Sequence, residues 1–454
     1  MSEKDLGLSL DEETEHVAGL ELESEFEHVP VPMSHRKSYG SVAAVWFGFP
    51  MVLTSAIFGG VIVAFLGFWV GVAAILIGNI VLSLYVGTLS YLAGASGRNF
   101  ALQATQTFGR TGYKIASGFL ATIVTGWFAF QTGLTGATVS TSFGWNETAV
   151  IIGAGILYVA VTFIGVRALS VLGLIAAPLY VLLGIVAVVI TGASNHWGEL
   201  FAYRGIVGTA GVAPALTFGG AVTIIIAGFA DSGTMTGDFT RWSKNGPEAV
   251  LATLSAFPVA NFIAQMFGAV IVAAGVVAEP TKNGGSFLPV LAHGGAFLSL
   301  LALIFVFVNL GSVCTHCLYN GAVGWSHIVG GRMRTLTVIL GIVGIVAAVA
   351  GVWNLFLGWL SILGVFVPPI GAIIITDQLI LRRFAEGRAV PAVRQSAFVA
   401  WAIGALAAGI VHFEAPAYAD SVVGMVVGGL AYYIIQQVAQ RRLAQPSAVQ
   451  QIGN

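Results

Sequence analysis

Charged residues are scarce in this sequence: only 9% of its 454 residues are Asp, Glu, Lys or Arg, whereas 57% are hydrophobic. A soluble globular protein carries about 25% charged residues, and no soluble core could bury so much apolar sequence. The formal net charge of −1 offers no basic surface for a nucleic-acid partner. The two cysteines, Cys314 and Cys317, share one apolar run, which gives no disulfide framework. The composition therefore indicates a protein whose surroundings are the lipid bilayer.

Half of the acidic residues are confined to the N-terminus, where ten of the twenty lie between Glu3 and Glu27. This segment has few aromatic residues and no sustained apolar periodicity, and such a composition is typical of a disordered chain. It also lacks the basic start and apolar core of a signal peptide. We predict that residues 1–38 form a disordered acidic cytoplasmic tail and that residues 439–454 form a cytoplasmic C-terminal tail.

Apolar runs of about 20 residues or more recur through the rest of the chain, and runs of this length are membrane spans. Of the nineteen Lys and Arg residues, only Arg204 and Lys282 fall in segments on the far side from the N-terminus; the other seventeen share its side. This bias predicts a multi-pass protein of the plasma (cell inner) membrane with both termini in the cytoplasm. The twelve predicted spans cover residues 40–66, 69–95, 113–140, 148–166, 169–192, 211–240, 249–277, 294–325, 334–352, 355–381, 393–412 and 419–438.

Two of these spans contain residues that interrupt helices. Span one carries Gly48 and Pro50, and span six carries Asp231 between Gly228 and Gly233. Interrupted helices at corresponding positions of two halves indicate the binding site of a transporter. We therefore predict an all-α membrane protein with 12 transmembrane helices, built as a five-plus-five inverted repeat with two extra helices. Its parts are a first repeat in residues 39–192, a second in residues 211–381, and the last two helices in residues 393–438.

Asp231 lies near the middle of span six, and no basic residue lies within nine positions of it in the sequence. A carboxyl group at this depth is costly and usually marks an ion, proton or substrate path. We predict that Asp231 takes part in substrate binding or ion coupling. The alternative is a protonated structural carboxyl group that bonds to a neighbouring helix.

Trp127 and Gln131 lie one helical turn apart on one face of span three. A flat π surface beside an amide suits a planar ligand that forms hydrogen bonds, although such a pair can also simply join helices. His316 with Cys314 and Cys317 gives no metal site, because positions 314 and 317 share a helix face and 316 points elsewhere. These residues indicate a secondary transporter without identifying its substrate.

Several sequence blocks carry a family resemblance. They are Gly126-Trp127-Phe128 in span three, residues 232–242 in span six, and residues 354–360, 368–371 and 376–377 in span ten. These blocks resemble the nucleobase–cation symporter family one, and its cytosine-permease branch in particular. The similarity runs from about residue 30 to residue 440. It implies a LeuT-type inverted-repeat fold and the uptake of nucleobases or related rings such as hydantoin or allantoin.

The resemblance also implies a substrate site. In that family an aromatic residue of span three and one of span six hold the substrate ring between them, and here these would be Trp127 and Phe229. Hydrogen bonds to the ring would come from Gln131 and from the backbone near Gly228. Span eight would supply the opposite wall near Cys314.

The resemblance further implies an ion site in the sodium-coupled members, formed by backbone carbonyl groups of spans one and eight and by two adjacent hydroxyl groups of span eight. The carbonyl groups would fall near Gly48, Val52 and Asn309. The hydroxyl positions carry Ser312 and Val313, so one of the two hydroxyl groups is missing in this chain.

One hydroxyl group is missing from the ion site at Val313, and one carboxyl group is gained near the substrate site, because Asp231 stands where the cytosine permease has serine. We therefore predict coupling to H⁺ through Asp231, and cytosine itself is disfavoured as the substrate. A Na⁺ site near Gly48, Val52, Asn309 and Ser312 is the alternative.

We predict a symporter that imports a nucleobase or related planar nitrogen heterocycle by alternating access. The alternative is a Na⁺-coupled permease for cytosine, purine, hydantoin or allantoin; a transporter-like sensor or a channel is less favoured. A channel would show a continuous polar stripe or charged rings, and a membrane enzyme would need a nucleophile–base pair or a set of metal ligands at membrane depth. The sequence shows neither pattern, so we predict no catalytic residues and no cofactor.

Overall fold

The computed structural model describes residues 14–17, 20–194, 197–206, 216–275, 284–382 and 389–444. Within these residues the chain is almost entirely helical, apart from a short antiparallel hairpin of β1 (Thr14–Val17) and β2 (Leu20–Glu23). The tail residues 1–13 and 445–454 and the predicted outer residue Lys282 lie outside the described residues.

Residues 39–194 form the first group of helices. Three of these helices begin at a Ser or Asn residue, namely Ser38, Asn99 and Asn146, whose side chain accepts a hydrogen bond from the backbone N–H three residues later. The helices are α1 (Tyr39–Gly48), α2 (Leu53–Leu66), α3 (Phe68–Ser96), α4 (Phe100–Phe108), α5 (Tyr113–Phe143), α6 (Glu147–Ile164) and α7 (Val166–Ser194).

The second group of helices follows from residue 218. Short π-helical turns, Ala256–Asn261 and Thr376–Ile380, interrupt or end two of its spans. The helices are α8 (Phe218–Ala227), α9 (Ala230–Thr234), α10 (Gly237–Thr240), α11 (Gly246–Ser255), α12 (Phe262–Ala273), α13 (Leu288–Ala292), α14 (Ala296–Val329), α15 (Met333–Val349), α16 (Phe356–Phe366), α17 (Pro368–Ile375), α18 (Gln395–Glu414) and α19 (Asp420–Ala444).

Many of these helices are long and apolar enough to cross a membrane. Among the described residues, nine helical spans meet this condition, and ten do so if the bent pair α1 and α2 is one span. The helices α8 and α15 are apolar but shorter, with 10 and 17 residues. The predicted all-α, multi-spanning architecture is thus confirmed, whereas the number of twelve spans and the inverted repeat stay predictions.

The first predicted break lies between α1 and α2, which meet at an angle of 52°. Pro50 has no N–H to donate, and the residue before α2, Val52, has an extended backbone with φ −128° and ψ 151°. Asn309 of α14 pairs with two backbone groups at the bend: its Oδ1 accepts from Leu53 N at 2.9 Å, and its Nδ2 donates to Met51 O at 2.6 Å. One side chain of span eight therefore holds the bend of span one.

The second predicted break lies between α8 and α9. Helix α8 ends at Ala227, and Phe229 has φ −137° and ψ 9°, outside the helical region, before α9 starts at Ala230. A further interruption follows at Met235 before the short helix α10. Both spans in which the sequence predicts an interruption are interrupted in the structure.

The two broken spans are held by close helix packing. Helix α5 packs along α14, and α2 packs along α12. A Cβ atom on Gly59 of α2 would collide with the backbone oxygen of Gln265 in α12, so glycine is what permits the approach of these helices. The second half of span one, α2, is thereby fixed to span seven, while its bend is fixed to span eight.

The N-terminal segment differs from the disordered tail that its composition predicts. From residue 24 to residue 37 the chain packs against helix ends: Val31 N donates to Gly97 O at 2.9 Å, and Lys37 N donates to Trp242 O at 2.7 Å. Glu25 is only 2% exposed. Composition predicted disorder because the N-terminal segment is polar on average, but the packing depends on individual groups: backbone N–H groups, the Glu25 carboxyl group and the apolar side chain of Val31.

Candidate functional site

A small internal cavity lies where the two helix breaks meet. Its volume is about 10 Å³. A cavity of that size holds about one water molecule, so a planar ring could enter only if the wall side chains moved. The walls are formed by Phe49, Val52, Thr54, Phe58, Trp127, Gln131, Gly228, Phe229, Asp231, Ser232, Val313 and Cys317.

The aromatic residues of this cavity come from three different spans. Trp127 lies in α5 and is 3% exposed, and Phe229, in the break between α8 and α9, is 4% exposed. Phe49, in the break of span one, makes an edge contact with Phe229, with the ring centroids 5.4 Å apart. The structure therefore brings together the two aromatic residues predicted from the sequence, and adds Phe49 and Phe58 to them.

Gln131 presents its amide at the cavity wall. Its Oε1 accepts a hydrogen bond from Thr54 Oγ1 at 2.8 Å, which joins α5 to α2. Among the described residues, none accepts a hydrogen bond from Gln131 Nε2. The amide is thus oriented by Thr54, and its N–H groups are the part available to a ligand.

Asp231 lies in the first turn of α9 and is 1% exposed. Its Oδ1 accepts from the backbone N–H of Ser232 at 2.7 Å, whereas Oδ2 has no hydrogen-bond partner in the described part of the chain. The indole of Trp127 and the thiol of Cys317 lie close enough to this carboxyl group to interact with its charge. No described Lys, Arg or His forms an ion pair with it, so its charge has no fixed counter-ion there.

The two cysteines of α14 face different surroundings. Cys314 Sγ lies 3.6 Å from Thr132 Oγ1 and 3.9 Å from Phe128 O, so its thiol is directed toward α5. Cys314 is not among the residues that line the cavity, whereas Cys317, one turn later, is. The geometry thus favours Cys317 over the Cys314 of the sequence prediction as the wall from span eight.

The residues of the predicted ion site surround the bend of span one. Val52 and Val313 both line the cavity, and Gly48 ends α1 at the bend. The side chain of Asn309 is already engaged by Leu53 N and Met51 O, so only its backbone could face an ion. Ser312 Oγ is buried and has no hydrogen-bond partner among the described residues.

His316 joins span eight to α1, the first half of span one. Its Nδ1 lies 2.5 Å from Ser312 O, and its Nε2 lies 3.1 Å from Val45 O. The ring also packs on Phe49, with centroids 5.1 Å apart. His316 therefore lies beside the cavity without lining it.

Sequence reasoning missed several residues of this site. Thr54 and Phe58 carried no signal of their own, because a single Thr or Phe in a membrane span is ordinary, and Ser232 entered only as the first residue of the span-six block without a site role. Cys317 could have been identified only from the rotation of α14 about its axis, which the sequence of a helix buried along much of its length does not define.

Comparison with known proteins gives a family for this arrangement. The sequence matches the permeases for cytosine/purines, uracil, thiamine and allantoin over residues 30–435. It is 32% identical over 425 residues to the cytosine permease of Escherichia coli O157:H7, and the match covers 92% of this chain and 96% of that permease.

Solved structures agree on the fold. The structure resembles Mhp1, a nucleobase-cation-symport-1 family transporter, in a closed conformation with bromovinylhydantoin bound, with a TM-score of 0.75 at 20% identity, covering 91% of this chain and 96% of that one. Against the inward-facing conformation of Mhp1 the TM-score is 0.69, with 91% and 93% of the two chains covered.

The match over most of the chain and the identity to cytosine permeases carry the assignment, and the fold similarity is consistent with it. The protein is a multi-pass membrane transporter rather than an enzyme. The chain belongs to the family of permeases for cytosine/purines, uracil, thiamine and allantoin.

Proposed function

We propose that this permease is a symporter that imports a nucleobase or a related planar nitrogen heterocycle across the plasma membrane by alternating access, driven by H⁺. The observation that supports this proposal is the composition of the cavity at the two helix breaks. Aromatic rings, one amide and one carboxyl group converge there and are buried within the helix bundle.

A planar nitrogen heterocycle suits these walls. Trp127 and Phe229 offer π faces for stacking, and stacking on an aromatic ring is tolerant of the identity of the base. Gln131 Nε2 can donate to a ring nitrogen or a carbonyl oxygen, and Asp231 Oδ2 can accept from a ring N–H. A site that offers both a donor and an acceptor distinguishes ring edges, which gives selectivity among heterocycles of similar size.

Coupling to H⁺ rests on Asp231. A carboxyl group that lies in the membrane interior without an ion pair is most stable when protonated, and it becomes charged only at a cost in solvation. A group of this kind can carry a proton and bind the substrate in the same step. Val313 also favours H⁺ over Na⁺ as the coupling ion, because its side chain supplies no oxygen ligand for Na⁺.

The alternative of coupling to Na⁺ is favoured by Ser312, whose hydroxyl oxygen is buried and unpaired within the described residues. Together with carbonyl groups near Gly48 and Val52 it could provide several oxygen ligands. Under this alternative Asp231 would only bind the ring.

The test is a thermal-shift screen of the purified permease against pyrimidines, purines, hydantoins and allantoin, with Na⁺ or choline as the cation. A ligand that binds the folded state raises the apparent melting temperature by mass action. We expect a heterocycle to stabilise the protein equally in both salts, and its uptake into liposomes to stop when a protonophore is added. Stabilisation and uptake that require Na⁺ and resist the protonophore would contradict H⁺ coupling, and the absence of stabilisation by any planar ring would contradict the substrate class.

A further inference from the structure

The N-terminal strap, residues 24–37, lies across one end of the helix bundle. This end carries Arg241 and Arg334 and is the one that the charge distribution assigns to the cytoplasm. The backbone of the strap bonds to the bundle through Val31 and Lys37, as described for the fold. The strap also binds through Glu27, whose Oε1 accepts from the backbone N–H of Met333, the first residue of α15, at 3.0 Å. Asn99 Nδ2 donates to the carbonyl oxygen of Glu27 at 2.7 Å. The strap is therefore attached to helices from both halves of the bundle.

The Glu25 side chain is buried at the centre of these contacts. Its Oε1 accepts from the N–H of Val166, the first residue of α7, at 3.1 Å, and its Oε2 accepts from the hydroxyl group of Tyr319 in α14 at 2.8 Å. The residue before α7 is Gly165, with φ +98°, and a Cβ atom there would collide with Glu25 Oε1. The helix junction is thus shaped to admit this one carboxyl group.

Arg241 holds the backbone of the strap from span six. Its guanidinium group is fully buried and donates to Glu25 O through Nη2 and to Phe26 O through Nη1, both at 2.7 Å. Its Nε donates to Asp238 O at 3.3 Å, which fixes the guanidinium to the end of the broken span. Glu25 and Arg241 therefore tie span six to α7 and α14.

The strap is bound in a strained conformation. Phe26 has φ +45°, in the left-handed region that a phenylalanine rarely adopts. Its ring is held by His35 and Trp242, with centroid distances of 5.0 and 6.0 Å. Strain of this kind persists only where surrounding contacts impose it, and it is relieved when the segment is released.

A continuous path of aromatic contacts leads from the cavity to Glu25. Phe49, in the cavity wall, packs on His316, which in turn packs on Phe239 with centroids 5.4 Å apart. Phe239 stacks on Tyr319 with centroids 5.7 Å apart, and the Tyr319 hydroxyl group donates to Glu25. The cavity wall and the strap are thus joined by one chain of contacting rings, and we expect these contacts to separate if the cavity opens toward the strap.

We propose that Glu25 is the latch of an inner gate: while it bonds to Val166 and Tyr319 the cavity stays closed toward the cytoplasm, and its release precedes opening to that side. The inference rests on the proposed function only in assuming that the cavity opens to each side in turn. It does not depend on which heterocycle or ion is carried.

The Glu25 carboxyl group has one titratable and two charged neighbours: Tyr319, Arg241 and Arg334. Burial raises the pKa of the Glu25 carboxyl group, and this rise is opposed by the Tyr319 hydroxyl group, by the charge of Arg241, by the Val166 N–H and by the charge of Arg334. Because the bonds of Glu25 to Val166 and Tyr319 can also be made by a neutral group of the same shape, the latch depends on the hydrogen bonds more than on the charge.

The test uses the two native thiols. Cys317 lines the cavity and Cys314 does not, so in a Cys314→Ala background the single thiol reports access to the cavity. A membrane-impermeant maleimide is applied to inside-out and to right-side-out membrane vesicles. Relative to this background, Glu25→Ala should speed modification from the cytoplasmic side about 10- to 100-fold, because it removes the two hydrogen bonds of a buried ionisable group. Modification from the outside should not accelerate.

The controls separate a gate from a general loss of structure. Glu25→Gln keeps an acceptor for Val166 and a polar partner for Tyr319, and it should stay within about threefold of the background rate. Glu248→Ala truncates a carboxyl group at the start of α11 that bonds locally to Asn245, and it should leave the rate unchanged. If Glu25→Ala does not fold, Tyr319→Phe replaces it, because it removes one hydroxyl group only.

Two outcomes would overturn the latch. One is a folded Glu25→Ala or Tyr319→Phe variant whose cytoplasmic modification rate equals that of the background. The other is an equal acceleration from both sides of the membrane, which would indicate that the whole bundle has loosened. Because these rates are measured without substrate, a failure to find a transported heterocycle would leave the test of the latch intact.

Discussion

Replacing Trp127 by alanine is the most direct test of the proposed substrate site. The indole lines the cavity and is 3% exposed, so the substitution removes one complete aromatic face from its wall. Stacking of a base on an aromatic side chain contributes roughly 1–3 kcal/mol. The affinity for a planar ligand should therefore fall about 5- to 150-fold, since each 1.4 kcal/mol corresponds to a factor of ten. Trp127→Phe should retain part of the affinity because it keeps a smaller π face.

The assay is the dissociation constant of the heterocycle, measured by the shift in melting temperature across a range of ligand concentrations. The substitution also leaves an internal cavity, which by itself costs about 3–5 kcal/mol of folding stability. The comparison must therefore be made on ligand-induced shifts rather than on melting temperatures. Trp359→Ala is the matched control. Trp359, in α16, packs against Gly126, the neighbour of Trp127 in α5, but it does not line the cavity.

The reasoning would be refuted by a folded Trp127→Ala variant that binds the ligand as tightly as the parent protein. It would also be refuted if Trp359→Ala lost as much affinity, because the effect would then come from a disturbed α5 rather than from a lost stacking surface.

Four further predictions follow from the site and the strap. Phe229→Ala should weaken all planar ligands to a similar extent, whereas Gln131→Leu should change their ranking, because it removes hydrogen bonds that discriminate between ring edges; competition assays with a ligand panel decide this. Asp231→Asn should abolish uptake against a gradient but preserve exchange of labelled for unlabelled substrate, since the amide imitates the neutral acid; loss of exchange as well would support a role in ring binding alone. Val313→Thr should add an oxygen ligand and give a modest stimulation of uptake by Na⁺, and unchanged uptake in Na⁺ and choline would count against that ion position. Because burial raises the pKa of Glu25 in the latched form, protons favour that form; cytoplasmic modification of the cavity thiol, relative to Glu25→Gln, should therefore rise as the pH rises through this pKa.

The sequence located the central features of the site because they break a simple pattern. Pro50 and Gly48 interrupt an otherwise apolar helix, and Asp231 is a carboxyl group at membrane depth. Both features are visible without any knowledge of tertiary contacts. The structure has a break at each place and brings Asp231 to the cavity with Trp127 and Gln131.

The remaining parts of the site depend on geometry that no local pattern encodes. Cys314 and Cys317 lie in equally apolar stretches of the sequence. Only the packing of α14 against α5 decides that Cys317 lines the cavity and Cys314 does not. The short helix α4, between spans two and three, has an amphipathic character that a search for long apolar runs passes over.

The N-terminal strap was missed for a different reason. Disorder is predicted from the average polarity of a segment, and averages do not register one carboxyl group with specific partners. Glu25 is buried because its carboxyl group bonds to Val166 and Tyr319, which the fold brings together at one point. Both partners lie more than a hundred residues from Glu25 in the sequence, so no local pattern indicates them.

The pairing of Asn309 with the bend of span one limits which residues can occupy position 309. Leu53 N is a donor and Met51 O is an acceptor at the bend, and the carboxamide matches both at once. Asn309→Asp would strand the acceptor, and Asn309→Leu would strand both groups in a medium without water to replace them. The residue that pairs with the bend thus belongs to a different helix, so a change in the tilt of α14 would act on the bend of span one without any change in the residues of that span.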